Sequence, residues 1–159
     1  MIRRIWTICI VVLLLQLGLS ATASASEETE HAHEWHSNTL FGFIGITDED
    51  RRDRAITVAI EYERRFSEQW GLSGAVEHAF GDLDFTLVTL PLVFHHGKWG
   101  FYAGPGIEKS DGHDKEFLVR VGTIYEFEVG ELILAPNFSV DFVDGDAVLV
   151  GGISIGLGF

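Results

Sequence analysis

Three histidines and two carboxylates crowd the stretch Glu30, His31, His33, Glu34 and His36. Imidazole nitrogen with carboxylate oxygen is a donor set that zinc or copper accepts. His31, His33 and His36 are therefore the candidate metal ligands. A tract of this kind binds weakly unless a fold fixes its geometry and further hydrogen bonds orient its rings. No other cofactor is expected. A second chemistry would be nucleophilic, a serine activated by an imidazole that a third group orients. His78, His95, His96 and His113 with Ser73, Ser110 or Ser139 are the available parts. The third set is ionic. Glu61, Glu63, Glu77, Glu108, Glu126 and Asp141 lie on the polar sides of alternating segments, and Arg120 is the clearest cation among them.

The chain that must position these groups opens with an export pattern. Residues 1–25 carry Arg3 and Arg4, an apolar run from Ile8 to Leu19 and small-residue sites ending at Ala23 and Ala25. That is the form of a secretory signal peptide. An anchoring helix is the alternative, but the run falls short of the roughly 20 apolar residues that span a bilayer. The only cysteine, Cys9, lies at the start of the apolar run and not just after it, so a lipoprotein is not expected. Without it the exported chain has no disulfide or thiolate chemistry. Residues 26–37 then read as a His- and Glu-rich periplasmic leader, and residues 38–159 as one domain. Removing the signal leaves nine Lys and Arg against 24 Asp and Glu, a net charge of −15. Nucleic acid is not an expected partner, because phosphate binding needs clustered positive charge.

The dominant pattern is period two with a turn signal about every 15 residues. Eight strands are expected near Asn38–Thr47, Arg54–Phe66, Trp70–Phe80, Asp84–His96, Trp99–Lys109, Glu116–Val129, Glu131–Val143 and Ala147–Phe159. Connections alternate between tight ("SEQ", "GK", Gly130) and longer acidic ones ("DEDRRD", "GDLD", "KSDGHD", "DGD"), as an up-and-down meander with two distinct rims requires. Faces separate cleanly in most strands: Ile56, Val58, Ile60 and Tyr62 oppose Thr57, Ala59, Glu61 and Glu63. The first and fourth strands are apolar on both sides, which leaves their facing open.

A soluble periplasmic barrel would bury the apolar set around an apolar ligand. A membrane barrel would turn it out to lipid. Three features favour lipid. Trp35, Phe66, Trp70, Phe94, Trp99, Phe127 and Phe159 fall near the rim with tight turns and both ends, and Phe80, Phe85, Phe117 and Phe142 near the other, as two interfacial belts would. The polar face mixes Gly and Ser with carboxylates, which suits a cramped lumen. Strands of about 10 to 13 residues are long enough to cross a bilayer when tilted.

The signal peptide, eight alternating strands, aromatic belts and terminal "ISIGLGF" resemble the small eight-stranded outer-membrane barrels of Gram-negative bacteria, the class of the outer membrane protein A and outer membrane protein X barrels. The resemblance implies an all-β, antiparallel up-and-down transmembrane β-barrel in the outer membrane, monomeric and surrounded by lipid. It also implies that Ile153, Ile155, Leu157 and Phe159 form the signal read by the barrel-assembly machinery. The bare positions between them, Gly152, Ser154, Gly156 and Gly158, are expected to leave room for lumen carboxylates and arginine. Relative to that class, the outer loops are short, and no peptidoglycan-binding domain is expected after the last strand. A porin is not expected, since side chains fill an eight-stranded interior. A structural or interaction role is the leading reading.

Some barrels of this class modify lipid A, which makes a lipid-modifying enzyme the main alternative. Against it, His95 and His96 stand at the rim far from the outer leaflet, and Ser110 and His113 stand in a loop. The lumen charges suggest a plug in which Arg120 bridges two or more carboxylates, expected among Glu77, Glu108 and Glu126, because buried carboxylates are costly unless paired. A gated proton or cation path is the functional alternative.

Overall fold

A computed structural model describes residues 36–49, 53–81, 83–110 and 114–159. The signal peptide and most of the leader, including His31, His33 and Trp35, lie outside them. Among the described residues there is no helix, and eight strands follow the chain in order. They are β1 (Asn38–Glu49), β2 (Asp53–Arg65), β3 (Trp70–Phe80), β4 (Phe85–Thr89 and Leu92–His96), β5 (Trp99–Ser110), β6 (Glu116–Tyr125 and Phe127–Val129), β7 (Leu132–Val143) and β8 (Asp146–Gly158). Each pairs antiparallel with its neighbours. β8 returns to β1 over Thr39↔Gly158 through Asp48↔Leu149, closing the sheet and removing its edges. Reciprocal bonds between Asn38 and Phe159, 3.0 and 2.9 Å, extend that seam to the final residue.

Turn chemistry sets the hairpins. Asp144 (φ 45°) and Gly145 (φ 92°) make a two-residue turn with both positions left-handed, the type whose twist matches the flanking strands. Two strands are interrupted where a ladder donor or partner is missing. In β4 the break falls at Leu90 and Pro91; Pro91 has no N–H, yet its carbonyl still accepts from Ser73 N at 2.9 Å. In β6 the break falls at Glu126, whose N–H reaches back to the Lys98 carbonyl at 2.8 Å. On the facing strand Pro136 of β7, in register with Tyr125, again supplies no N–H.

The apolar set points outward. Ile60 is 68% exposed, Phe117 67% and Ile44 60%, whereas Glu126 is 2% and Arg120 6% exposed. This orientation is the opposite of a ligand-binding soluble barrel. The two strands of open facing resolve as follows: β1 turns Leu40, Ile44 and Ile46 out and Thr39, Phe41 and Phe43 in, and β4 turns Val88, Leu90 and Leu92 out and Phe85, Leu87, Val93 and His95 in. Phe85 is thus not a belt residue. Its ring is buried with Ala55, Ala79, Leu87, Leu118 and Val143 in an apolar layer that closes the lumen at the rim of the longer loops.

The bare face of β8 houses rings rather than charges. A Cβ on Gly156 would lie 2.4 Å from the Phe41 ring, one on Gly152 2.6 Å from Phe43, and one on Gly158 2.2 Å from the His36 imidazole. The expectation that carboxylates and arginine fill this space is corrected: they gather on β2, β3, β6 and β7.

Candidate functional site

Below the apolar layer the lumen holds two ionic clusters. The first centres on Arg120, midway along β6. Its Nε and Nη2 donate to Asp141 Oδ1 and Oδ2, both at 2.7 Å, and Nη1 and Nη2 donate to Glu77 Oε2 and Oε1 at 2.8 and 3.2 Å. Two carboxylates are thereby held by one planar fork, the geometry that distinguishes arginine from lysine. Register explains the first pair, since Arg120 stands directly opposite Asp141 in the β6–β7 ladder. Glu77 approaches across the lumen from β3. Beside them Glu61 accepts a hydrogen bond from Ser73, and Tyr102 donates to Asn137. Glu61, Glu77, Tyr102, Arg120 and Asn137 line a cavity of about 20 Å³, space for roughly one water molecule.

The second cluster lies toward the rim of tight turns. Arg65 Nη2 donates to Glu126 Oε1 and Oε2 at 2.7 and 2.9 Å, and Arg65 Nε lies 3.3 Å from Glu63 Oε1. His95 Nε2 is 2.6 Å from the same Glu63 oxygen. All four side chains are buried. The space for Glu63 comes from β3, where a Cβ on Gly71 would meet its carboxylate at 2.2 Å. Phe41, Ile124, Ile133 and Ala135 pack on the apolar side of this level.

Arg120 therefore bridges Glu77 and Asp141, and not Glu108 or Glu126. Glu126 is taken by Arg65, and Glu108 sits farther toward the other rim, where Ser110 Oγ donates to it at 3.3 Å. Arg65 is a site residue that the sequence reading leaves out, and His95, weighed there only as a catalytic part, belongs to this charge cluster. Arg65 carries the parity of Glu61 and Glu63 two residues onward, a usable signal. His95 is a lumen residue and not a rim group; its strand, apolar on both faces, hid that.

The other candidate chemistries are placed as follows. Ser73 bonds Glu61, Ser110 bonds Glu108, and His78 pairs with Thr86 Oγ1 at 3.1 Å on the outward face. Among the described residues no serine hydroxyl is hydrogen-bonded to a histidine; His113 lies outside them. Of the leader histidines only His36 is described, against Gly158 at the lumen mouth. Ile153, Ile155 and Leu157 point outward on β8, and Phe159 is exposed at the rim.

No protein-family model matches the sequence, nor does any curated protein sequence. Solved structures do resemble the fold. The N-terminal β-barrel domain of Pseudomonas aeruginosa OprF superposes with a TM-score of 0.58 at 12% identity, over 79% of this chain and 100% of that one. A de novo designed transmembrane β-barrel gives 0.53 at 11% identity, over 78% and 98%. The Yersinia pestis outer membrane protein Ail, in a phospholipid bilayer nanodisc, gives 0.52 at 14% identity, over 79% and 100%. By its closed sheet, outward apolar surface and these likenesses, the chain has the fold of an eight-stranded antiparallel transmembrane β-barrel.

Proposed function

We propose that this protein is an integral outer-membrane barrel of a Gram-negative bacterium, exported on a cleaved signal peptide. Its role is structural or interaction-based rather than that of a porin. The observation that carries the reading is the inversion of polarity, with an apolar belt outside and ion pairs inside. Such a surface is stable in hydrocarbon and would aggregate in water. Against a porin stands the lumen itself, filled by paired charges at mid-depth and by the Phe85 and Leu87 layer above them. By resemblance the terminal strand engages the barrel-assembly machinery, and the barrel works as a monomer in lipid. The N-terminal histidines remain a proposed weak zinc or copper site.

Density-gradient fractionation of cell envelopes tests the reading. The protein should sediment with the outer membrane and resist alkaline extraction; recovery in the periplasmic extract would sink it. Mass spectrometry of lipid A from cells with and without the protein should show the same species, and a changed acylation pattern would favour the lipid-modifying enzyme instead.

A further inference from the structure

The outward wall has a concave feature where β6 and β7 are interrupted together. Between the Ile124↔Asn137 and Phe127↔Leu134 pairs the ladder lapses, because Pro136 offers no N–H and Glu126 turns its own toward β5. The result is a groove of about 490 Å³, within the size range of roughly 300–1,000 Å³ typical of small-ligand sites. Its walls are Trp99, Tyr125, Phe127 and Phe138. The rings are mutually braced, Trp99 against Tyr125 at 4.8 Å and Tyr125 against Phe127 at 4.7 Å between centroids, both edge to face. The floor is Thr123 and Pro136.

Two polar side-chain atoms of the groove are already bonded. Thr123 Oγ1 donates to the Gly100 carbonyl at 3.0 Å, and Asn137 Oδ1 accepts from Tyr102. A docked peptide strand would need backbone partners, which the proline denies it. A hydrocarbon chain needs none. The groove lies near the tight-turn rim, where the two turns beside it carry opposite charges: exposed Lys98 between β4 and β5, and exposed Glu131 between β6 and β7. Glu128, also exposed, stands near the second turn. One cation and neighbouring carboxylates complement a headgroup with a phosphate and an ammonium better than a purely anionic one.

We propose that this groove binds one acyl chain of a zwitterionic, amine-bearing phospholipid, with its phosphate toward Lys98 and its ammonium toward Glu131. The proposal rests on the membrane reading above. Native mass spectrometry of the full-length barrel, released from bilayers holding equal phosphatidylethanolamine and phosphatidylglycerol, reads it directly. The wild type should retain one lipid per barrel, predominantly phosphatidylethanolamine.

Thr123→Phe, which fills the floor, should lower retention on the order of tenfold, the loss expected when about two methylenes go unburied. Val76→Phe, on the opposite wall, should not. If Thr123→Phe does not fold, Phe127→Ala removes a wall and should act in the same direction. Lys98→Ala with Glu131→Ala should abolish the headgroup preference while keeping the chain. Equal retention by Thr123→Phe and Val76→Phe, no retained lipid, an undiminished headgroup preference in the charge variant, or two barrels cross-linked through the groove would each overturn the proposal. A protein that inserts into no bilayer would instead fail the membrane reading, and this one with it.

Discussion

Arg120 shows why the lumen tolerates so much charge. Its guanidinium bonds two buried carboxylates at once, so no member of the trio stands alone. Removing one partner of a buried ionic set is costly because the others stay desolvated. Arg120→Ala should therefore lower unfolding stability in lipid vesicles by about 3–5 kcal/mol, measured by urea titration. An unchanged midpoint would mean that the trio is not a structural plug. Glycines give a second residue-scale contrast. At Gly152 a Cβ would lie 2.3 Å from the Ile44 carbonyl, while at Gly42, facing outward, it would meet nothing within 4 Å. Gly152→Ala should destabilise by about 1–3 kcal/mol and Gly42→Ala should not. The carboxylates were legible in the sequence from parity alone. Which cation each one meets was not, because cross-lumen partners depend on the stagger of strands far apart in the chain.

At the scale of the strand, period two decides nearly everything. β2 reads Ile56, Val58, Ile60 and Tyr62 outward and Thr57, Ala59, Glu61 and Glu63 inward, and the structure keeps that alternation. A cation on the outward face at mid-strand would enter hydrocarbon. Ile60→Arg should cost roughly 2–4 kcal/mol in bilayer folding assays, and Ile56→Arg, nearer the rim, distinctly less. Equal costs at both positions would speak against a lipid band centred on Ile60. Strand boundaries were legible to within one or two residues, because turn residues such as Asp144 and Gly145 mark them. The facing of β1 and β4 was not legible, since Phe41, Phe43, Phe85 and Leu87 fill the lumen with apolar side chains and erase the contrast on which parity depends. The interruptions at Pro91 and Pro136 are visible as prolines in the sequence, but their effect on the wall needs the partner strand.

For the whole molecule, the lumen is layered along its axis: ion pairs toward the tight-turn rim and at mid-depth, then the apolar layer of Phe85, Leu87, Leu118 and Val143. An ion crossing the barrel would have to shed its water in that last layer. In planar bilayers the wild type should add no resolved conductance steps, and Arg120→Ala should stay closed because the apolar layer is untouched. Steps appearing in Arg120→Ala alone would point to a gated path instead. The architecture itself was legible from composition, period and strand length together. The groove between β6 and β7 was not, since it arises from two local breaks that face each other only in the closed sheet.

The apolar face meets lipid and the ionic face meets the lumen. Residues 36–159 contain no cysteine, so single cysteines can be placed from 56 to 62 and labelled with an environment-sensitive fluorophore in vesicles whose acyl chains carry a quencher. Strong quenching at 56, 58, 60 and 62 with weak quenching at 57, 59 and 61 is the predicted result. The same alternation with its phase reversed, or no alternation at all, would contradict it.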